Sequence, residues 1–414
     1  MKQKSKWMAR MGPGLLYAGA AIGVSHLVQS TRAGAEYGWA LVWAVLVANL
    51  LKYPFFEFGP RYAMATGRSL LEGYYRLGKW AYYVFLLITI GTMFTIQAAV
   101  TLVTAGLAGN LVGIDLTANT YATILLVICA AILMIGKYNV LDKTIKGVII
   151  ILSLSTIVAL IASIWKFSPD QVIVERQFHW DNMIDFAFLI ALMGWMPAPI
   201  DISVWHSLWT LEKKKAQPDV SETDAKVDFH VGYWGTTILA VFFVALGALS
   251  IYGKGEQMPD SSLAFASKLI SIYTSNIGEW SFWIISIAAF TTMFSTSMTV
   301  LDAYPRTITN AINISNEQSK KNETLIYNLL VVILVAGAAI ILWQLTGSMK
   351  SLIQFATILS FLTAPILALL NYIVINGKDV PLSFRPGPLE KAICLLGGIY
   401  LIVFSGYYIW KVLL

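Results

Sequence analysis

Eleven apolar runs, each near the length that crosses a bilayer as a helix, dictate what this chain can fold into. They are expected at 12–31, 37–60, 80–108, 119–136, 144–165, 183–210, 229–251, 278–307, 323–344, 350–374 and 391–412. In hydrocarbon every backbone polar group needs an internal partner, so such runs form a helical bundle. Only 13% of the 414 residues are charged, about half the share in soluble globular domains. That excludes a soluble enzyme and predicts one integral, all-α membrane domain over residues 1–414. The basic stretch Met1–Arg10 leads into Gly12, Pro13 and Gly14 without a small-residue cleavage site, and reads as the approach to the first span rather than a signal peptide.

Charge sets the expected orientation. With a cytoplasmic N-terminus, the cytoplasmic segments hold 21 of the 29 Lys and Arg residues and the opposite side holds seven. This bias predicts an outside C-terminus. It also accounts for the net charge of +6 without a nucleic-acid partner. Lys52 is left inside the second span. Cys129 and Cys394 lie in apolar runs and read as buried reduced thiols, too few for a cysteine-rich metal centre. No cofactor is expected, and the oligomeric state stays open. Trp7, Tyr37, Trp39, Trp80, Tyr82, Trp165, Trp180, Trp280 and Trp410 fall near predicted span ends, where interfacial anchoring accounts for most of them.

Two spans depart from a regular helix. In the first, Gly23, Ser25, His26, Gln29, Ser30 and Thr31 interrupt or follow the apolar run. A broken helix there exposes carbonyls to an ion, and small residues equally permit close packing. In the sixth, Pro197 and Pro199 remove two donors just before Asp201 and Ser203, with His206 following. An ionised Asp201 at that depth calls for a cation, a cationic side chain or water. Asp201 therefore reads as a substrate or coupling-ion ligand, with a structural pair as the alternative. His206 reads as a proton or gating residue, or as a hydrogen-bonded histidine near the cytoplasmic end. The two breaks lie five spans apart, as in two inverted five-helix repeats at 12–165 and 183–374 followed by an extra helix at 391–412.

The Gly12–Gly14 GPG, RAGAEYG at Arg32–Gly38, RYAMATGRSLLE at Arg61–Glu72, KYNVLDKTIKG at Lys137–Gly147, and the Met196-Pro197 and His206-Ser207 pairs stand in a set order. In that order and spacing the chain resembles the natural-resistance-associated macrophage protein (NRAMP) family of divalent-metal transporters. The resemblance implies a LeuT-like fold of two inverted five-helix repeats plus an eleventh helix, with alternating access about a midmembrane site. It also implies that Met196 corresponds to the family's methionine ligand and that Met193 offers a backbone carbonyl. The family's Asp-Pro-Gly-Asn is replaced here by Gly23, Val24, Ser25 and His26, Ala198 stands where a histidine follows Met-Pro, and Ala356 stands where a glutamine is usual. The third span, Trp80 to Leu107, contains no Asp, Glu or His, which argues against the family's acidic proton route.

The expected function is thus a secondary transporter of a divalent cation, with Mg, Mn and Fe unresolved. Its rebuilt site would comprise Asp201, His26, Gly23, Ser25, Met196, Met193 and Ser203, of which Asp201, Met196 and His26 are the candidate metal ligands. The alternative is a monovalent or small organic solute on the same fold. The polar residues of span eight read as self-bonded, Asp302 and Arg306 as an i,i+4 pair, and Lys137, Asp142, Lys143 and Lys146 as a cytoplasmic gate or solvated loop.

Overall fold

The computed structural model describes residues 12–136, 138–167, 176–344 and 348–413, with side chains described outside 138–149 and Leu413. Trp7, the Met1–Arg10 stretch and the side chains of Lys137, Asp142, Lys143 and Lys146 lie outside the described residues. Among the described residues all regular structure is helical. The first span is α1 (Pro13–Ala21), a π-helical turn at Val24–Ser30 and α2 (Thr31–Tyr37). There follow α3 (Val42–Thr66), the short α4 (Leu70–Leu77), α5 (Lys79–Val112), α6 (Ala118–Met134) and α7 (Tyr138–Lys166). The sixth span splits into α8 (Met183–Gly194) and α9 (Ile202–Ala216). Then come α10 (Glu222–Ser250), α11 (Ser262–Ile277), α12 (Phe282–Ser315), α13 (Glu323–Gln344), α14 (Met349–Ile375) and α15 (Pro388–Tyr408). Six helical runs among the described residues are each long and apolar enough to cross a membrane. The remaining expected spans are the two broken ones, α3, which carries Pro54 and Pro60, the shorter apolar α6, and α7, whose apolar part with described side chains runs from Ile150 to Lys166.

Local chemistry fixes many boundaries. Thr117 and Ser348 accept the N–H of the residue three ahead, and Ser221 and Asp224 form a reciprocal capping box. That box begins α10 at Glu222, and Lys213, Lys214 and Lys215 sit in the last turn of α9 where they favour its C-terminal dipole. The polar stretch at 211–228 is consequently mostly helix, and the chain leaves helix only at 217–221. Gly38 (φ 57°) ends α2, seven residues beyond the span boundary expected from hydropathy.

The long α10 braces both halves of span one. A Cβ at Gly14 would fall 2.0 Å from the Asp228 carbonyl oxygen, and one at Gly34 would fall 1.9 Å from that of Val244. Such backbone approach is how membrane helices gain packing when apolar side chains have no preference for protein over lipid. The Asp228 carboxylate then accepts the N–H groups of Gly12 (3.1 Å) and Gly14 (2.8 Å), which pins the N-terminus of α1.

The aromatic expectations divide. Trp39, Trp80, Trp165, Trp180, Trp280 and Trp410 are more than half exposed, as anchors require. Tyr37 and Tyr82 are buried instead, the first donating to Asp185 (2.8 Å) and the second to the Ala311 carbonyl (2.8 Å). Both cysteines are free and buried. Arg306 grips Asp302 with two bonds (2.7 and 2.9 Å), and Tyr327 adds a third (2.6 Å).

Candidate functional site

Span one breaks at Ile22 and Gly23, and span six unwinds from Trp195 to Asp201. Between the breaks lies a half-open space of about 30 Å³, room for a water molecule and little more. Its walls are mostly apolar: Ala21, Val24, Trp195, Pro197, Ile202 and Trp205 among them, with Ser25 and Thr296 supplying hydroxyls. Gly23 is needed at this crossing because a Cβ would come within 2.9 Å of Thr296 Cγ2. Thr296 Oγ1 in turn donates to the Gly19 carbonyl (3.0 Å).

The candidate residues do not share one cluster. Ser25 Oγ lies 2.9 Å from the Ala21 carbonyl, 3.2 Å from that of Pro197 and 2.8 Å from His26 Nδ1. His26 Nε2 faces the Thr236 carbonyl at 2.9 Å. A carbonyl only accepts, so Nε2 carries the proton and Nδ1 has the lone pair. His26 therefore ties the break to α10 with both nitrogens engaged. Ser203 Oγ accepts from Asn371 Nδ2 (2.8 Å), while Asn371 also bonds the Phe55 carbonyl and accepts the Tyr74 hydroxyl. His206 is buried against Tyr17 and Phe229, and its Nδ1 has no hydrogen-bond partner. Among the described residues no three His, Cys, Asp or Glu side chains gather as a metal-binding group.

Asp201 stands just ahead of α9 and is 4% exposed. Tyr304 donates to its Oδ2 at 3.0 Å, and the N–H groups of Asp201 and Ile202 lie near the carboxylate. Oδ1 is buried without a hydrogen bond of good geometry. Helix-end N–H groups suit a charged carboxylate here.

Lys52 carries the largest feature that sequence reasoning missed. Its ammonium is fully buried and donates to four carbonyls of span six: Met193 (3.2 Å), Gly194 (3.0 Å), Met196 (2.9 Å) and Ala198 (3.0 Å). Met193 and Gly194 close α8, Met196 and Ala198 lie in the unwound segment beyond it, and the Met193 carbonyl also accepts backbone N–H groups. The carbonyls of Met193 and Met196, two candidate ligands, are thus engaged by a side chain, and Met193 Sδ accepts the Tyr400 hydroxyl (2.8 Å). No ion pair within 4 Å joins Lys52 to Asp201. The available signal was a lone lysine in the middle of an apolar span, which in a bilayer marks a functional position by default.

A bundle that is helical throughout the described residues, with two broken spans facing each other, has the architecture of LeuT-like membrane transporters. The natural resistance-associated macrophage protein-like family matches residues 14–411, and the chain belongs to that family. An uncharacterized protein of Pasteurella multocida is 36% identical over 385 residues, 91% of this chain and 88% of its own. The divalent metal cation transporter MntH of Chromohalobacter salexigens is 35% identical over 82 residues, 19% of each chain. Among solved structures, the manganese transporter of Eremococcus coleocola superposes with a TM-score of 0.65 over 97% of this chain and 86% of its own. At 14% identity, that likeness is one of fold.

Proposed function

We propose that the chain is a secondary transporter of divalent metal cations, working by alternating access between the 12–165 and 183–374 repeats, with the extra helix 391–412 outside that pair. Membership in the family and the MntH relative support a metal-ion cargo. The observation that carries the site is Asp201: buried, at the break of span six, with one carboxylate oxygen lacking a hydrogen bond. A hard, partly hydrated dication such as Mg²⁺ or Mn²⁺ suits that oxygen, and a softer Fe²⁺ or Mn²⁺ would draw on the Met196 thioether, the ligand that the family resemblance implies. The ligand set then departs from the family's usual one. Proteoliposomes offered Mg²⁺, Mn²⁺, Fe²⁺, Ca²⁺, monovalent ions and small organic solutes in competition should take up a divalent cation. Robust flux of another solute with no divalent flux would overturn this reading.

A second reading has specific support. The space between the breaks is walled mainly by apolar and aromatic side chains, and the indole N–H of Trp205 in that wall has no acceptor. Both suit a small organic solute with one acceptor group, bound in a state in which this water-sized space is wider, and the same panel detects it.

We also propose a cytoplasmic N-terminus and an outside C-terminus, on the bias of 21 to seven basic residues. Single cysteines placed at 109–118 and at 217–221 should label from opposite sides with an impermeant maleimide. Labelling from one side would reject this topology.

A further inference from the structure

Four carbonyl oxygens converging within hydrogen-bond distance of one point, deep in a bundle, describe a seat for a monocation. Helix ends leave carbonyls unpaired, and in hydrocarbon each unpaired group is costly. Soluble helices settle such oxygens with water or a capping residue next in the chain. Here they are settled by a side chain from another span, Lys52 of α3, reaching the end of α8 and the unwound Met196 and Ala198. Three N–H groups serve four acceptors, which is shared coordination rather than a set of one-to-one bonds. Lys52 is also 0% exposed, and its ammonium lies 5.7 Å from the Phe56 ring.

We propose that Lys52 is a tethered cation: its ammonium permanently occupies the carbonyl seat of broken span six, so that no free monovalent ion is needed or admitted there. The four oxygens are thereby withdrawn from any passing ion, and a permeating dication is left with oxygens outside the seat. The proposal goes beyond the cargo assignment and does not depend on it. Its readout is protein stability in monovalent salts, whereas the cargo reading stands or falls on divalent flux.

Purified protein in nanodiscs is melted in choline chloride at constant ionic strength, with Na⁺, K⁺, propylammonium or propanol added. The wild type should be indifferent to all four. Lys52→Ala should melt lower and be restored saturably by Na⁺, K⁺ or propylammonium, and not by propanol. A wild type stabilised saturably by Na⁺, or a Lys52→Ala protein that melts lower yet answers to no cation, would overturn the proposal. So would a Lys52→Ala protein as stable as the wild type in choline. If Lys52→Ala cannot be recovered from membranes, Lys52→Arg and Lys52→Met decide. Recovery of the arginine variant alone supports a required charge. Recovery of the methionine variant, or loss of both, makes shape the requirement and removes the tethered cation.

Discussion

Asp201→Ala is expected to lower divalent-cation flux roughly a hundredfold while membrane insertion and melting stay close to wild type. A bond between a charged group and its partner contributes up to about 3 kcal/mol, and each 1.4 kcal/mol is about a factor of ten. The structural loss is smaller, because Asp201 makes one side-chain bond, to Tyr304 at 3.0 Å, and its other oxygen has none to lose. Asp201→Asn keeps the shape and one carbonyl oxygen but removes the charge. A cation site should therefore suffer nearly as much from the amide as from alanine. A merely structural acceptor for Tyr304 should be largely rescued by it. Initial rates in proteoliposomes, with melting temperature as control, separate these results. Unchanged Mn²⁺ and Mg²⁺ flux in Asp201→Ala would remove the residue from the site.

The bundle was legible because its signals are summed over many residues. Runs near 20 apolar residues and the two prolines flanking Ala198 state what a bilayer and a backbone permit, whatever the neighbours are. The paired glycines of α10 with α1 and α2 were visible only as small residues, because their contacts join positions more than 200 apart in sequence. Boundaries failed where polar sequence continues a helix, as at Lys213–Lys215, since hydropathy stops at the membrane surface and hydrogen bonding does not.

The site was legible in part. Irregularity at Gly23 and at Pro197 located both breaks, but not what each side chain faces. His26 turns to the Thr236 carbonyl and Ser203 to Asn371, both long-range contacts that no local pattern announces. Lys52 is the sharpest case: its partners are main-chain carbonyls, which have no residue identity to read. Only its position in an apolar run could have flagged it.

The face proposed as the outer one yields the second large effect. Arg32 on α2 is 1% exposed and bonds Glu36 (3.3 Å), the Pro259 carbonyl and Asp260 (3.3 Å), while its guanidinium lies 5.5 Å from the Phe265 ring of α11. Lys350 of α14 reaches Glu36 (3.7 Å) and Asp260 (3.6 Å), and Arg176 also reaches Glu36 (3.3 Å). The web ties α2, the second half of span one, to α11 and α14. If alternating access moves that half against α11 and α14, Arg32→Met removes contacts that such a movement would have to break. Breaking a buried pair costs about 3–5 kcal/mol. Asp260 is half exposed and Glu36 keeps two cations, so a shift of about 1–2 kcal/mol is the expectation. That corresponds to roughly a five- to thirtyfold rise in the open population. A reporter Gln29→Cys, in a background lacking Cys129 and Cys394, should then label faster from outside with an impermeant maleimide. A cytoplasmic-side reporter, Thr210→Cys, should label no faster, which separates gating from general loosening. Equal acceleration at both reporters, or none at Gln29→Cys, would show that the web holds the fold and not a gate.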